Sequence, residues 1–150
     1  YDKLQTFVPI QDYQIDYYKN KFLKYINPGF IKCVTDENDE LVAFAITMPS
    51  FSNALKKING KVDFFGKLRL LHAKNFNHKG SLYLIGVRPD FQNKGVIAIL
   101  FNELQKFYNK FGITEVETNP ELIENTAIQQ LWKNYENNQH KNRATFTKQI

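Results

Sequence analysis

The chain holds a single cysteine, Cys33, so no internal disulfide can form. A lone thiol fits a reducing compartment, and a cytoplasmic protein is the expectation. Cys33 sits in the apolar stretch 30–35 with no histidine beside it in a nucleophile motif. It reads as a buried structural thiol. No apolar run is long enough to span a bilayer, which takes the membrane out of the expected partners. No signal-peptide pattern is present, and the chain opens at Tyr1 without an initiator methionine. The expectation is a domain taken from a longer protein, or a chain preceded by a disordered start. Internal repeats and low-complexity tracts are missing too. The three histidines, His72, His78 and His140, show no metal-ligand spacing with carboxylate or thiol support. No metal is assigned. They read as surface histidines, with His78 as a proton shuttle the alternative.

Also missing is a dense basic block. The net charge is +5, and the lysines read as scattered. Nucleic-acid proteins concentrate their charge in a patch or stripe, so that class is set aside. A mild positive field suits a phosphate-bearing cofactor or an acidic substrate.

What is present is ample apolar material: 43% hydrophobic against 23% charged over 150 residues, enough for one domain with a real core. Ile15, Tyr18, Phe22, Leu23 and Ile26 predict a helix over 11–26, stopped by Asn27-Pro28-Gly29. A strand over 30–35, a polar turn over 36–40 and an almost wholly apolar strand over 41–48 predict a hairpin. Its second strand should be covered on both faces. Ser50 or Ser52 is placed to cap a short helix ending at Ile58. An arm over 51–79 follows, interrupted by Gly60 and Gly66. It interleaves Phe64, Phe65, Leu68, Leu70 and Leu71 with Lys56, Lys57, Lys61, Lys67, Arg69 and Lys74. Two readings stand: a helix packed on the sheet with its lysines in water, or a wall over a pocket for an acidic or apolar ligand.

The stretch 81–111 is the most organised. A strand over 82–87 ends at Arg88-Pro89, and a helix over 93–110 carries Val96, Leu100, Leu104, Phe107 and Phe111 on one stripe before Gly112. Gly86 inside the strand predicts a bulge or a close backbone approach. Gly95 in the first helical turn lets a ligand near the backbone N–H groups. From spacing alone this is either an ordinary strand-to-helix connection or an anion cradle. A strand over 113–117, a helix over 125–135 and a last strand through Ala144, Phe146 and Ile150 complete the order. The class is α/β (α+β), a mixed central sheet with helices on both faces.

The central motif and element order resemble the GNAT N-acetyltransferase superfamily. Val87, Pro89, Gln92 and Gly95 fall at the places of its strand–turn–helix signature, Val-x-Pro-x-x-(Gln/Arg)-x-x-Gly-x-(Gly/Ala). Asn125, Leu131 and Trp132 match a second signature, with Ile128 for Ala and Trp132 for Tyr. The resemblance covers nearly all of 1–150 except the arm. It points to a single GNAT-like domain of a bacterial branch, in some relatives the C-terminal domain behind a further N-terminal one.

The resemblance implies an N-acyltransferase that moves an acetyl or other acyl group from CoA to a small-molecule or peptide amine by direct attack. The alternative is a non-catalytic GNAT-like module that binds a ligand or partner. Acetyl-CoA would lay its pyrophosphate on the N–H groups of Asn93, Lys94, Gly95, Val96, Ile97 and Ala98. Its pantetheine would run along backbone at Ile85 and Val87 beside a Gly86 bulge. Gln92 and Asn125 join this cofactor set as motif positions. Lys94 either adds charge to the phosphates or points to water. Three departures stand out. Ile97 replaces the usual Gly or Ala. The strand 81–88 holds no Asp or Glu to act as base. Trp132 replaces the Tyr that protonates the departing thiolate, which leaves Tyr135, one turn on, as the catalytic candidate and Tyr83 behind it.

Overall fold

A computed structural model describes residues 8–21 and 26–148. The chain forms two compact units, Tyr1–Glu117 and Thr118–Ile150. The first contains α1 (Asp12–Lys21), β1 (Ile31–Thr35), β2 (Leu41–Pro49), α2 (Ser52–Ile58), α3 (Phe64–Asn75), β3 (Lys79–Val87) and α4 (Val96–Phe111). β4 (Glu115–Thr118) closes a four-stranded sheet of order β1-β2-β3-β4. The mixed α/β architecture is the one the sequence predicts.

β2 is the keel of the sheet. It pairs antiparallel with β1 on one side and β3 on the other. Val42, Ala43 and Ala45 are at most 2% exposed. Both faces are covered, as the apolar run predicts. The two alanines leave room for bulky neighbours, and Val42, Ala43 and Val96 form a core cluster with Phe91 and Val87 packed against it. Thr47 is fully buried, and its hydroxyl donates to the Phe30 carbonyl at 2.8 Å, which satisfies a polar group that burial would otherwise penalise.

α4 drives its stripe into this core. Val96, Leu100 and Leu104 are buried. Phe107 and Phe111 extend the stripe onto Phe30, with ring centroids 4.9 and 5.9 Å away. A Cβ on Gly29 would come within 2.2 Å of the Phe107 ring, so only glycine lets the chain pass there. Gly112, with φ 68°, ends the helix in the left-handed region that favours glycine.

Several expectations change. α1 has no buried residue, and Phe22 and Leu23 of its expected stripe lie outside the described residues. Cys33 is exposed, because β1 is an edge strand and Cys33 sits on its open face. The N-cap of α2 is Phe51, without a side-chain bond, while the Ser50 hydroxyl accepts from the first-turn Ser52 N–H at 3.5 Å. In the arm, the side chain of Asp63 caps α3 by accepting from the Gly66 N–H at 2.7 Å. Phe64, Phe65, Leu68 and Leu71 are nevertheless exposed, so neither sheet packing nor burial explains them. In the second unit, α5 (Thr126–Trp132) is shorter than predicted, and residues 136–148 hold no strand. Phe146 of the expected last strand is 90% exposed.

Leu104 tests the keel packing. Leu104→Ala is expected to destabilise the fold by about 2–5 kcal/mol in urea unfolding, since a fully buried side chain leaves a cavity. A loss below about 1 kcal/mol would mean that α4 does not anchor on β2.

Candidate active site

The site grows from the phase of the β2–β3 ladder. The Arg88 N–H donates to the Val42 carbonyl at 2.8 Å. Antiparallel pairs alternate between bonded and non-bonded. Counting back from that bond, Gly86 faces Phe44 and Leu84 faces Ile46 as bonded pairs. Ile85 and Val87 therefore turn their backbone groups away from β2, toward the β4 side. β4 meets β3 at its start: the Thr114 and Glu115 N–H groups donate to the His78 carbonyl at 2.8 and 3.2 Å.

The strand does bulge, but not at Gly86. Register shifts where Ile46 faces Leu84 and Thr47 faces Leu82, which leaves Tyr83 as the extra residue. Tyr83 and Leu84 are consecutively exposed there. Gly86 stays in register opposite Phe44, and a Cβ on it would come within 2.7 Å of the Phe44 ring. Its glycine makes space for a ring on the neighbouring strand. Of the two sequence readings of Gly86, the close approach fits, and the bulge falls three residues earlier.

Beyond β3, a 3-10 turn over Pro89–Phe91 leads into a loop with two left-handed residues, Asn93 at φ 61° and Gly95 at φ 77°. Gly95 is the N-cap of α4 and lacks a side-chain bond. Among the described residues, the N–H groups of Asn93, Lys94, Gly95, Val96 and Ile97 have no hydrogen-bond acceptor. The Ala98 N–H is already taken by the Gly95 carbonyl at 3.0 Å. That removes Ala98 from the predicted donor set and leaves five. The dipole of α4 adds positive potential. Space over Gly95 is open, with no atom within 4 Å of a built Cβ. The arrangement can hold an anion on main-chain donors.

Side chains around the loop are mostly engaged with one another. Gln92 Nε2 donates to the Val87 carbonyl at 3.4 Å, so two predicted cofactor residues bond each other. Lys94 Nζ sits 5.1 Å from the Phe91 ring centroid, and the Arg88 guanidinium carbon lies 4.6 Å from the same ring. Ile97 is half-buried beside the buried Val96. Arg88 also clamps three carboxylates: Asp36 at 3.3 Å, Glu40 at 3.1 Å and Asp90 at 2.9 Å. The Asp36 carboxyl is held below its ordinary range, first by the Glu40 N–H and further by the Asn38 N–H and Arg88. Asp90 is lowered chiefly by its hydrogen bond from Arg88. This network ties the β1–β2 turn to the segment that carries the loop, and sequence reasoning missed it because its members lie far apart in the chain.

Asn125 and Tyr135 belong to the second unit. Asn125 is the N-cap of α5 and accepts from the Gln129 N–H at 3.4 Å. Tyr135 is partly exposed and packs edge-on to Trp132 at 6.3 Å. The Trp132 indole N–H donates to Glu121 at 2.8 Å.

One comparison covers almost the whole chain. The profile of the acetyltransferase (GNAT) family aligns with residues 2–135. The chain belongs to the GNAT family. No curated protein sequence matches it. Among solved structures, the fold is similar to the aminoglycoside antibiotic 6'-N-acetyltransferase AAC(6')-IG from Acinetobacter haemolyticus. That match has a TM-score of 0.59 and 14% identity, covering 95% of this chain and 85% of that one. AAC(6')-Ih from Acinetobacter baumannii gives 0.54 and 12%, covering 95% and 83%. The aminoglycoside acetyltransferase meta-AAC0020 from an uncultured soil metagenomic sample gives 0.52 and 10%, covering 99% and 80%. Likeness at these identities establishes the GNAT fold.

Two outcomes test this geometry. Gly86→Ala is expected to destabilise by about 1–3 kcal/mol through overpacking against Phe44, and Phe44→Leu added to it should recover part of the loss. A neutral Gly86→Ala would remove the Phe44 explanation. Arg88→Gln is expected to lower stability at neutral pH. Because the Asp36 and Asp90 carboxyls titrate below their unfolded values, their contribution is present above the ordinary carboxylate range and lost as pH falls through the lowered values. The difference between Arg88→Gln and the parent should therefore narrow below about pH 4. A constant gap from neutral pH to that range would show that the clamp is electrostatically idle.

Proposed function

We propose that the chain is a CoA-dependent N-acyltransferase that moves an acetyl group, or another acyl group, onto a primary amine. The observation that carries this is the row of five unpaired N–H groups from Asn93 to Ile97 at the start of α4, in a chain of the GNAT family. A pyrophosphate is the anion that fits a short row of main-chain donors with a helix dipole behind it. The Val87 backbone, which faces away from β2, then lies along the path of an extended amide-containing arm, which its N–H can pair with as a strand would. Lys94 and Gln92 stand at the loop rim and each must leave an existing contact to reach a ligand.

Chemistry in this reading needs no protein nucleophile. The neutral amine attacks the thioester carbonyl carbon, the carbon–sulfur bond breaks, and CoA leaves as a thiol once protonated. Holding amine and thioester together supplies much of the rate. A backbone N–H of β3 would polarise the carbonyl oxygen. The amine proton passes to water, since β3 has no carboxylate. Tyr135, three residues past the Trp132 that takes the place of the signature tyrosine, is the candidate to give the thiolate its proton. The neighbours' acceptors are aminoglycosides, or so their names state. Transfer of that acceptor to this chain is not adopted, because a polycationic sugar suits an acidic surface and this chain carries +5.

A second reading has its own support. Trp132 has no phenol, and its indole is committed to Glu121. With no carboxylate on β3 either, a GNAT module that binds a ligand without turnover is the alternative.

Calorimetry with acetyl-CoA, followed by thiol release across a panel of amines, tests both. Saturable binding with release supports the transferase, and binding without release on any amine supports the module. No binding overturns the transferase. Gly95→Ala forces a side chain into positive φ and is expected to weaken acetyl-CoA about tenfold, with about 1 kcal/mol lost in stability. Tyr135→Phe should lower kcat by about tenfold or more while acetyl-CoA affinity holds. Unchanged kcat removes Tyr135 from the chemistry.

A further inference from the structure

We propose that the α2–α3 hairpin is a docking face for an acidic, apolar-rich segment of a protein partner. It stands apart from acyl transfer and needs no CoA. The hairpin joins the end of β2 to the start of β3, where Pro49 faces Gly80. The N–H row lies past the other end of β3, about 25 Å away along a nine-residue strand.

Charge is the first observation. Residues 52–75 hold six basic side chains and one acidic one, Asp63, which equals the chain's whole net charge of +5. The other residues balance at fourteen of each sign. The basic residues are therefore not scattered in their effect. Nor are they neutralised locally. Elsewhere Lys79, Arg88 and Lys106 are paired with carboxylates. Among the described residues, Lys56, Lys57, Lys61, Lys67, Arg69 and Lys74 form no ion pair. Asp63 is occupied as the α3 cap.

Apolar exposure is the second. Phe64 and Phe65 are each 71% exposed, Phe76 73% and Leu71 55%. A monomer surface rarely leaves such a cluster uncovered without use. Shape is the third. A groove of about 480 Å³ runs between the two helices, with Phe65, Leu68 and Phe76 beside Lys57, Arg69 and His72 in its walls. Arg69 reaches across it to the Lys57 carbonyl at 3.3 Å, so its guanidinium is held at the groove.

These three select among occupants. A second copy would bring like charge against like charge. A flat bilayer touches raised atoms and leaves a groove with two cations empty. Nucleic-acid interfaces are more polar than a face of phenylalanine and leucine. An acidic peptide with apolar side chains fills the groove and pairs with its rim.

The test is fluorescence anisotropy of a labelled peptide built of Glu, Leu and Phe, with oligothymidylate and phosphatidylcholine/phosphatidylglycerol vesicles as parallel probes. Saturable peptide binding is expected, weakened about tenfold by Lys57→Glu with Arg69→Glu. Raising salt from about 50 to about 200 mM should weaken it as well. Phe65→Ser with Phe76→Ser should also weaken it, and Lys110→Glu should not. Circular dichroism and urea midpoints confirm that each variant is folded. No saturable peptide binding, or binding indifferent to the hairpin variants, overturns the proposal. Tighter binding to vesicles or to oligothymidylate than to the peptide also overturns it.

Discussion

The alternation of backbone bonds along β3 is the constraint on which the candidate site depends. A strand in mid-sheet spends its N–H and C=O groups on both neighbours. Here one bond, Arg88 N–H to Val42 carbonyl, sets which residues face β2. Ile85 and Val87 face the other way as a consequence. Shifting that bond by one residue would exchange the two sets and turn the outer groups inward. The bulge at Tyr83 and the glycine at 86 serve the same end from two directions. One adjusts register between the halves of the strand, and the other lets the Phe44 ring lie flat enough for the ladder to stay regular.

Arg88 links that ladder to the loop beyond it. Its backbone sets the phase, and its side chain gathers Asp36, Glu40 and Asp90 while lying over Phe91. Exposed ion pairs taken singly contribute little. Three carboxylates on one guanidinium restrict its rotamers together, so the value of the clamp is positional. It holds the β1–β2 turn against the segment that presents the N–H row. A loop with two left-handed residues needs such an anchor, since its own side chains make few bonds.

Much of this was legible in the sequence, for physical reasons that differ by element. β2 and α4 announce themselves because an apolar run and a 3.6-residue stripe are local signals. Gly95 and Gly112 are legible because left-handed backbone selects glycine. What failed was information held by a partner. Gly86 was correctly marked as a close approach, but the ring it accommodates is 42 residues earlier in the chain, on β2. Cys33 reads as buried until the sheet order makes β1 an edge. The alternation at Ala144 and Phe146 resembles a strand, yet a strand needs a neighbour to bond, and none pairs there among the described residues. The α3 leucines and phenylalanines carry the periodicity of a packed helix, and periodicity cannot say whether anything covers it.

The two ends of β3 divide the protein's electrostatics. At the loop end, positive potential comes from main-chain donors and a helix dipole, while the nearby cation Arg88 is spent on carboxylates. Such a site recognises an anion by geometry and changes little with salt, because its charges are partial and fixed. At the hairpin end, positive potential comes from six full charges on flexible side chains without ion-pair partners. An anionic partner docking at that end would be drawn by field and depend steeply on salt. On the two proposals, opposite ends of one strand would recognise anions by different means. Substitutions at either end should leave the other's binding intact, because the strand between them is held by the buried keel of β2 rather than by either surface.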